Sequence, residues 1–330
     1  MRQFGIHIFW IVLLTLLLFA GEGAQAQTAQ TAGKDWRAQF DLAGLKKVDV
    51  DALVAKGWPG AKSDYAAILR EADEHIADIR ARQGYTEEDL ALLTSPWRRT
   101  KECIVLLREG QPLPVTKLAV RAERNGVCDC GEVTVFKGDA RRAIAILREI
   151  GLKDTANDKS WSKAGGFMDR IPTVLGQASN GDIVLQGDLV LGVNKWFDFV
   201  YNQIYNLRDI ERYAERDLGN GNYVVIQDVI RDDSAGAPPR GPTHPKRGPK
   251  PYRPIKEWMN LFVVHDNGDG TFTLGNFQCT HGQELTPISS GAKFLTTVFM
   301  VDLKKTMRED TIASRKKWNA LFQEAVLAAP

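Results

Sequence analysis

The end of the chain sets the strongest limit on what it can fold into. From about Lys305 to Ala328, Trp318, Leu321, Phe322 and Ala325 recur at i, i+3, i+4 and i+7, placing four apolar side chains on one face of a long helix. A one-sided apolar stripe has to be buried against a second layer. The preceding segments identify that layer as a sheet. Asp182 to Val193 and Tyr223 to Ile230 read as strands, and Phe294 to Leu303 as another. Trp258 to His265 and Thr271 to Cys279 flank Asp266-Asn-Gly-Asp-Gly270, which has the composition of a tight hairpin turn. Between these strands, Trp196, Phe197, Val200, Tyr201, Ile204 and Leu207 fall at helical spacing and predict a helix continuing to about Tyr213. The strands legible in this way number about five. The class that follows is α+β, with an antiparallel curved sheet wrapped on a long C-terminal helix.

The region before this sheet is mainly helical. Tyr65, Ile68, Leu69, Ala72, Ile76 and Ile79 form one face of a helix between Ser63 and Gln83. Thr86 to Asp89 has the pattern of a capping box, and Ser95-Pro96 supplies an N-cap and a first-turn proline for Trp97 to Glu109. Between Thr116 and Phe136 the alternation of Leu118, Val120, Val133 and Val135 predicts a hairpin around Asn125-Gly-Val-Cys-Asp-Cys-Gly131. Asp139 caps a helix from Ala140 to Ile150, with Gly151 as its stop. Lys153 to Gly166 reads as a linker. The expected organisation is therefore a leader at 1–26, a mainly helical region with one hairpin at 27–160, and a second domain at 166–330.

The leader fixes the expected compartment. Arg2 gives a positive start, Ile6 to Ala20 are uncharged and apolar, and Ala24-Gln25-Ala26 is a small-x-small cleavage site. This pattern predicts a secretory signal cut before Gln27, and an exported protein that is periplasmic or secreted. A membrane anchor is the competing reading, but the apolar run is shorter than the roughly 20 residues a spanning helix needs. With 43 basic and 41 acidic residues, the formal net charge of +2 exerts no general pull toward nucleic acid.

An oxidising compartment makes disulfides the first expectation for Cys103, Cys128, Cys130 and Cys279. A bridge within the Cys-Asp-Cys turn would be strained and easily reduced, with redox use as its consequence. The plainer alternative ties one of that pair to Cys103. Cys-x-Cys with no nearby histidine lacks zinc-ligand spacing, and no metal site is expected.

The segment from about Gly166 to Ala328 resembles the helix-grip superfamily, in particular the START lipid-transfer domains. The resemblance is carried by Gly187-Asp-Leu-Val-Leu-Gly-Val193 leading into Lys195-Trp-Phe-Asp-Phe-Val200, by Asn222-Tyr-Val-Val-Ile226, and by Thr297-Val-Phe-Met-Val-Asp-Leu303 before the last helix. It implies an apolar cavity between sheet and C-terminal helix that takes a lipid or other hydrophobic molecule. Phe197, Phe299, Val301, Trp318 and Phe322 would line it; the alternative is that these side chains fill a dry core.

Two constellations compete with that reading. Ala237 to Pro254 holds seven prolines among Arg240, His244, Lys246, Arg247, Lys250 and Arg253, with no acidic residue. Such a stiff basic arm suits an anionic membrane surface or another anionic partner, or it is a solvated insertion. Nucleic acid is not expected as a partner, since Tyr252 is the arm's one stacking residue. His265, His281 and Glu284 are the candidates for acid–base catalysis in an envelope hydrolase, on the expectation that the hairpin gathers His265, Asp266 and His281 in one half of the molecule. Their spacing matches no zinc-protease pattern, Asp266 to Gly270 lacks the ligand set of a calcium loop, and neither a nucleophile elbow nor a glycine-rich phosphate loop is present. No cofactor is expected, and binding without catalysis is the leading reading.

Overall fold

The computed structural model describes residues 36–56, 62–122, 127–153, 166–193, 203–235, 252–253, 255–282 and 303–328. A 3-10 turn at Trp36–Gln39 is followed by helices α1 (Val50–Lys56), α2 (Tyr65–Arg80), α3 (Glu87–Leu93) and α4 (Ser95–Arg108). Strands β1 (Thr116–Ala122) and β2 (Val127–Lys137) lead to α5 (Ala140–Leu152). Then come β3 (Gly166–Gln177), β4 (Ile183–Val193), β5 (Gln203–Gly219), β6 (Asn222–Asp232), β7 (Tyr252–Arg253), β8 (Ile255–Asp266) and β9 (Thr271–Gly282), and the chain closes with α6 (Leu303–Leu327).

The strands form one curved, open sheet in the order β1-β2-β9-β8-β6-β5-β4-β3, antiparallel throughout except where short β7 runs parallel to β5. The architecture is α+β, helix-grip-like, as the terminal stripe and the hairpins require. The β1–β2 hairpin and the strands after residue 166 lie in this same sheet, because β2 pairs with β9 over eleven residues, from Val127 opposite His281 to Lys137 opposite Thr271.

Alternation along the strands gives the sheet two buried faces. On one, Ile226 of β6, Leu261 and Val263 of β8 and Phe277 of β9 pack against Ile68, Leu93, Trp97 and Ile104 of α2, α3 and α4. On the other, Ile183, Tyr213, Val225, Phe262, Val264 and Phe272 pack against α5 and α6, the latter through Phe322 and Val326. Local chemistry starts these helices as expected. Asp64 accepts from Ala67 N at the head of α2, Thr86 and Asp89 complete a reciprocal capping box on α3, and Asp139 accepts from Arg141 and Arg142 on α5.

Several expectations are corrected. The helix expected to run to Tyr213 is strand over Gln203–Gly219, with 194–202 outside the described residues. The sequence from Arg208 to Glu215 imitates a helix because its charged residues sit at helical spacing, yet all eight residues are buried, with Arg208 and Arg212 paired to neighbouring strands and Glu215 to α5. Cys128 and Cys130 lie in strand β2 and not in a turn. Thr94, not Ser95, precedes α4; the Ser95 hydroxyl accepts instead from Arg99 and Arg121. Gly151 lies inside α5, where a β-carbon would come 2.4 Å from the Tyr213 ring. Close approach of helix to sheet, not helix termination, is what requires glycine there. Strand β3 had no sequence expectation, and the strand expected at Phe294 to Leu303 lies outside the described residues up to 302.

Candidate functional site

The face beneath α6 combines an aromatic wall with a polar floor. Trp318 stacks on Phe322 at 4.7 Å and on Phe262 at 6.0 Å, and Phe322 meets Phe136 and Phe272 edge-on at 5.5 and 6.3 Å. Beside this wall the side chains turn polar. Register aligns Gln227 (β6), Asn260 (β8), Gln278 (β9) and Cys130 (β2) in one row across the sheet. The next row runs Val225, Phe262, Asn276 and Glu132. Because Phe262 meets Trp318, and Gln278 and Glu132 meet α6, both rows face that helix.

Most of these polar groups have partners. Gln227 donates to Glu211 Oε2 at 2.8 Å, Asn319 of α6 donates to Glu132 Oε1 at 3.0 Å, and Arg315 of α6 donates to Gln278 Oε1 at 3.0 Å and to Cys130 Sγ at 3.1 Å. Asn260 Oδ1 and both polar atoms of Asn276 are buried without a hydrogen-bond partner, and Asn276 is 1% exposed. Further along this face Arg148 of α5 holds Glu215 through two 2.7 Å bonds while Tyr213 donates to the same carboxylate at 2.9 Å. Burial raises the Glu215 pKa despite Arg148, and burial followed by the neighbouring Glu215 charge raises that of the Tyr213 phenol.

The opposite face carries a closed ionic cluster. Arg212 of β5 donates twice to Asp228 of β6, both at 2.8 Å, and once to Glu71 of α2 at 2.7 Å. His75 lies between the rings of Trp36 and Trp97 at 4.3 and 4.4 Å, with Nδ1 2.8 Å from the Glu71 carbonyl and Nε2 3.4 Å from Asp228 Oδ2. Burial alone would raise the Asp228 and Glu71 carboxyls, but the Arg212 charge, aided by His75 and for Glu71 by Arg216, holds both below their ordinary range. The cleft beside this cluster, between Trp36, Arg82, Trp97 and Glu257, has room for little more than one water molecule.

No protein-family model matches the chain, and no curated protein matches it. Solved structures do. A STAR-related lipid transfer protein fragment from Xanthomonas axonopodis is 11% identical, with 63% of this chain and 99% of that one covered and a TM-score of 0.34. The lipid transfer and protein localization domain of human StarD13 is 8% identical over 68% of this chain and 96% of that one, at 0.36. Human StAR-related lipid transfer protein 5 is 9% identical over 71% and 97%, at 0.33.

Among the residues expected to line a cavity, Trp318 and Phe322 lie in the aromatic wall, with Phe322 packed into the core. Phe197, Phe299 and Val301 lie outside the described residues. So do Arg240, Lys246, Arg247, Lys250, Glu284 and the leader, while Arg253 falls in β7, opposite Leu207 of β5. His265 and His281 stand at opposite ends of the β8–β9 hairpin. His265 pairs with Thr273, eight positions from His281 along β9, a separation of roughly 27 Å at the usual strand rise. Each has local partners: His265 Nδ1 is 2.6 Å from Asn222 Oδ1, and His281 Nδ1 is 3.3 Å from the Tyr85 hydroxyl.

The four cysteines are free thiols, a correction to the expected bridges. The sheet separates them into two pairs: Cys128 and Cys130 face α6 with Val120 and Ile312, whereas Cys103 of α4 and Cys279 of β9 are packed in the core on the other face. Asp129 points the other way from its two neighbours and is paired with Arg99 and Arg121. Burial pushes the Cys103 and Cys128 thiols up to about 12 and that of Cys279 well above its ordinary value. Sequence reasoning missed Asn260 and Asn276. Their one trace was polar residues at inward positions of strands already recognised.

Proposed function

We propose that this is an exported protein that binds a lipid or other hydrophobic small molecule between the sheet and α6, without catalysing its conversion. The observation that carries this reading is the pairing, on one buried face, of the wall formed by Trp318, Phe262 and Phe322 with a floor of inward amides. A largely apolar enclosure with a few convergent polar groups is the usual chemistry of a small-molecule site. Affinity in such a site comes from removing the ligand's apolar surface from water, at about 25 cal/mol per Å² before ordering costs. The separation of His265 from His281 argues against the hydrolase alternative. Export rests on the pattern of residues 1–26, and the buried thiols suit it. With so little thiolate at neutral pH, Cys103, Cys128 and Cys279 resist oxidation in a disulfide-forming compartment. A basic Pro-rich arm at 237–254 would serve contact with an anionic membrane surface during loading or release.

Native mass spectrometry of the protein purified from the exported fraction, followed by organic extraction, tests both parts. The expected result is a chain beginning at Gln27 that carries one equivalent of an extractable apolar molecule. A bare chain whose mass is unchanged by added lipid would overturn the binding reading, and an uncleaved cytoplasmic chain would overturn export.

A further inference from the structure

We infer that the molecule held beneath α6 carries a neutral group that both donates and accepts hydrogen bonds, a hydroxyl or an amide, and that Asn276, assisted by Asn260, anchors it. The inference rests on the binding reading above and adds the chemistry of the ligand's polar end. Asn276 is the one buried amide among the described residues whose oxygen and nitrogen both lack a partner, and it is 1% exposed. A carboxamide has two donors and an acceptor with two lone pairs, and leaving them unmade away from water is costly. A leucine of similar size would fill the same place without that cost. Asn260, one row away on the adjacent strand, leaves its Oδ1 unpartnered on the same face.

The side chains around Asn276 favour a neutral group over an anion. Two described arginines on this face have partners already: Arg148 holds Glu215, and Arg315 donates to Gln278 and Cys130. Glu132 and Glu211 accept from Asn319 and Gln227, and each would repel an anion. At the two asparagines, what remains unsatisfied is neutral and two-sided: an acceptor and a donor at Asn276 with a second acceptor at Asn260. A hydroxyl or an amide at the end of an apolar chain complements both.

The test uses the mature protein freed of bound lipid and loaded with the neutral fluorophore N-phenyl-1-naphthylamine, displaced in turn by 1-decanol, decanamide and decane. In Asn276→Leu the affinity of 1-decanol and of decanamide relative to decane should fall about tenfold or more, the equivalent of a lost hydrogen-bonded anchor in a buried site. Decane itself should bind no more weakly than before. Asn260→Leu should give a smaller fall in the same direction, and it carries the test if Asn276→Leu does not fold. Unchanged ratios in both variants, with all three compounds still displacing the fluorophore, would overturn the anchor while leaving the cavity standing. No binding of fluorophore or chain to the wild-type protein would overturn the cavity and the anchor together.

Discussion

The two faces of the sheet solve the same problem in different ways. Beneath α2, buried Arg212 and Asp228 and half-buried Glu71 are joined in short contacts, with His75 stacked between two tryptophans beside them. Beneath α6, neutral amides stand among paired charges, and both polar atoms of Asn276 are buried without a partner. A closed ionic network holds elements in register and has little capacity left for a visitor. An open set of amides beside stacked aromatics has that capacity. On the proposed binding reading, the difference gives support to one face and recognition to the other, even though the two faces share the same strands.

The largest effect should come from breaking the closed face. Arg212→Met takes from Asp228 its bidentate cation and leaves Glu71 and Asp182 to Arg216 alone, and losing one partner of a buried pair costs about 3–5 kcal/mol. Urea unfolding should show a loss of that size or an unfolded protein. A loss under 1 kcal/mol would mean that the cluster holds little together. Phe322→Ala on the other face should cost about 3 kcal/mol by emptying the junction of Phe136, Phe272 and Trp318. The two variants should differ in ligand binding: an Arg212 variant that still folds keeps its binding, whereas the Phe322 variant weakens it. Equal losses of binding per unit of stability would erase the contrast between the faces.

Each face has parts that are legible in the sequence and parts that are not. The terminal helix, the Asp266–Gly270 hairpin and the capped helices were readable because apolar spacing and turn chemistry act locally. The β5 strand was not, because its charges are matched by residues from α2, β6, β4 and α5, and period alone cannot report a partner that arrives from a distant segment. Trp318 and Phe322 were found as members of a stripe. Asn260 and Asn276 were passed over because a polar residue at an inward strand position looks like ordinary noise until register shows it buried beside another.

Acid should separate the faces next. Asp228 and Glu71 have folded pKa values below their ordinary 3.8 and 4.5, so the stability they contribute is present above those ordinary values and is lost as pH falls through the folded ones. Glu215, under α5, shifts upward, so its contribution is complete below 4.5 and declines only as pH rises through its folded value. Hydrogen exchange followed from pH 5 down toward pH 2 should therefore show α2 amides losing protection while α5 amides keep theirs. Simultaneous loss in both helices would show that the two faces unfold as one unit under acid.

The smallest effect should be a gain. In the ligand-free protein, Asn276→Leu removes a buried amide with no partner and supplies apolar volume, which should leave thermal stability unchanged or raise it by about 1 kcal/mol. Gln227→Leu, in the adjoining row, removes the donor that meets Glu211 and should lower stability by about 1–3 kcal/mol. A site kept for binding is expected to be poorer for the empty fold than an apolar replacement, and a structural amide is expected to be better. If Asn276→Leu destabilises as much as Gln227→Leu, Asn276 is holding the fold together through an ordered water, and the open face is as closed as its opposite.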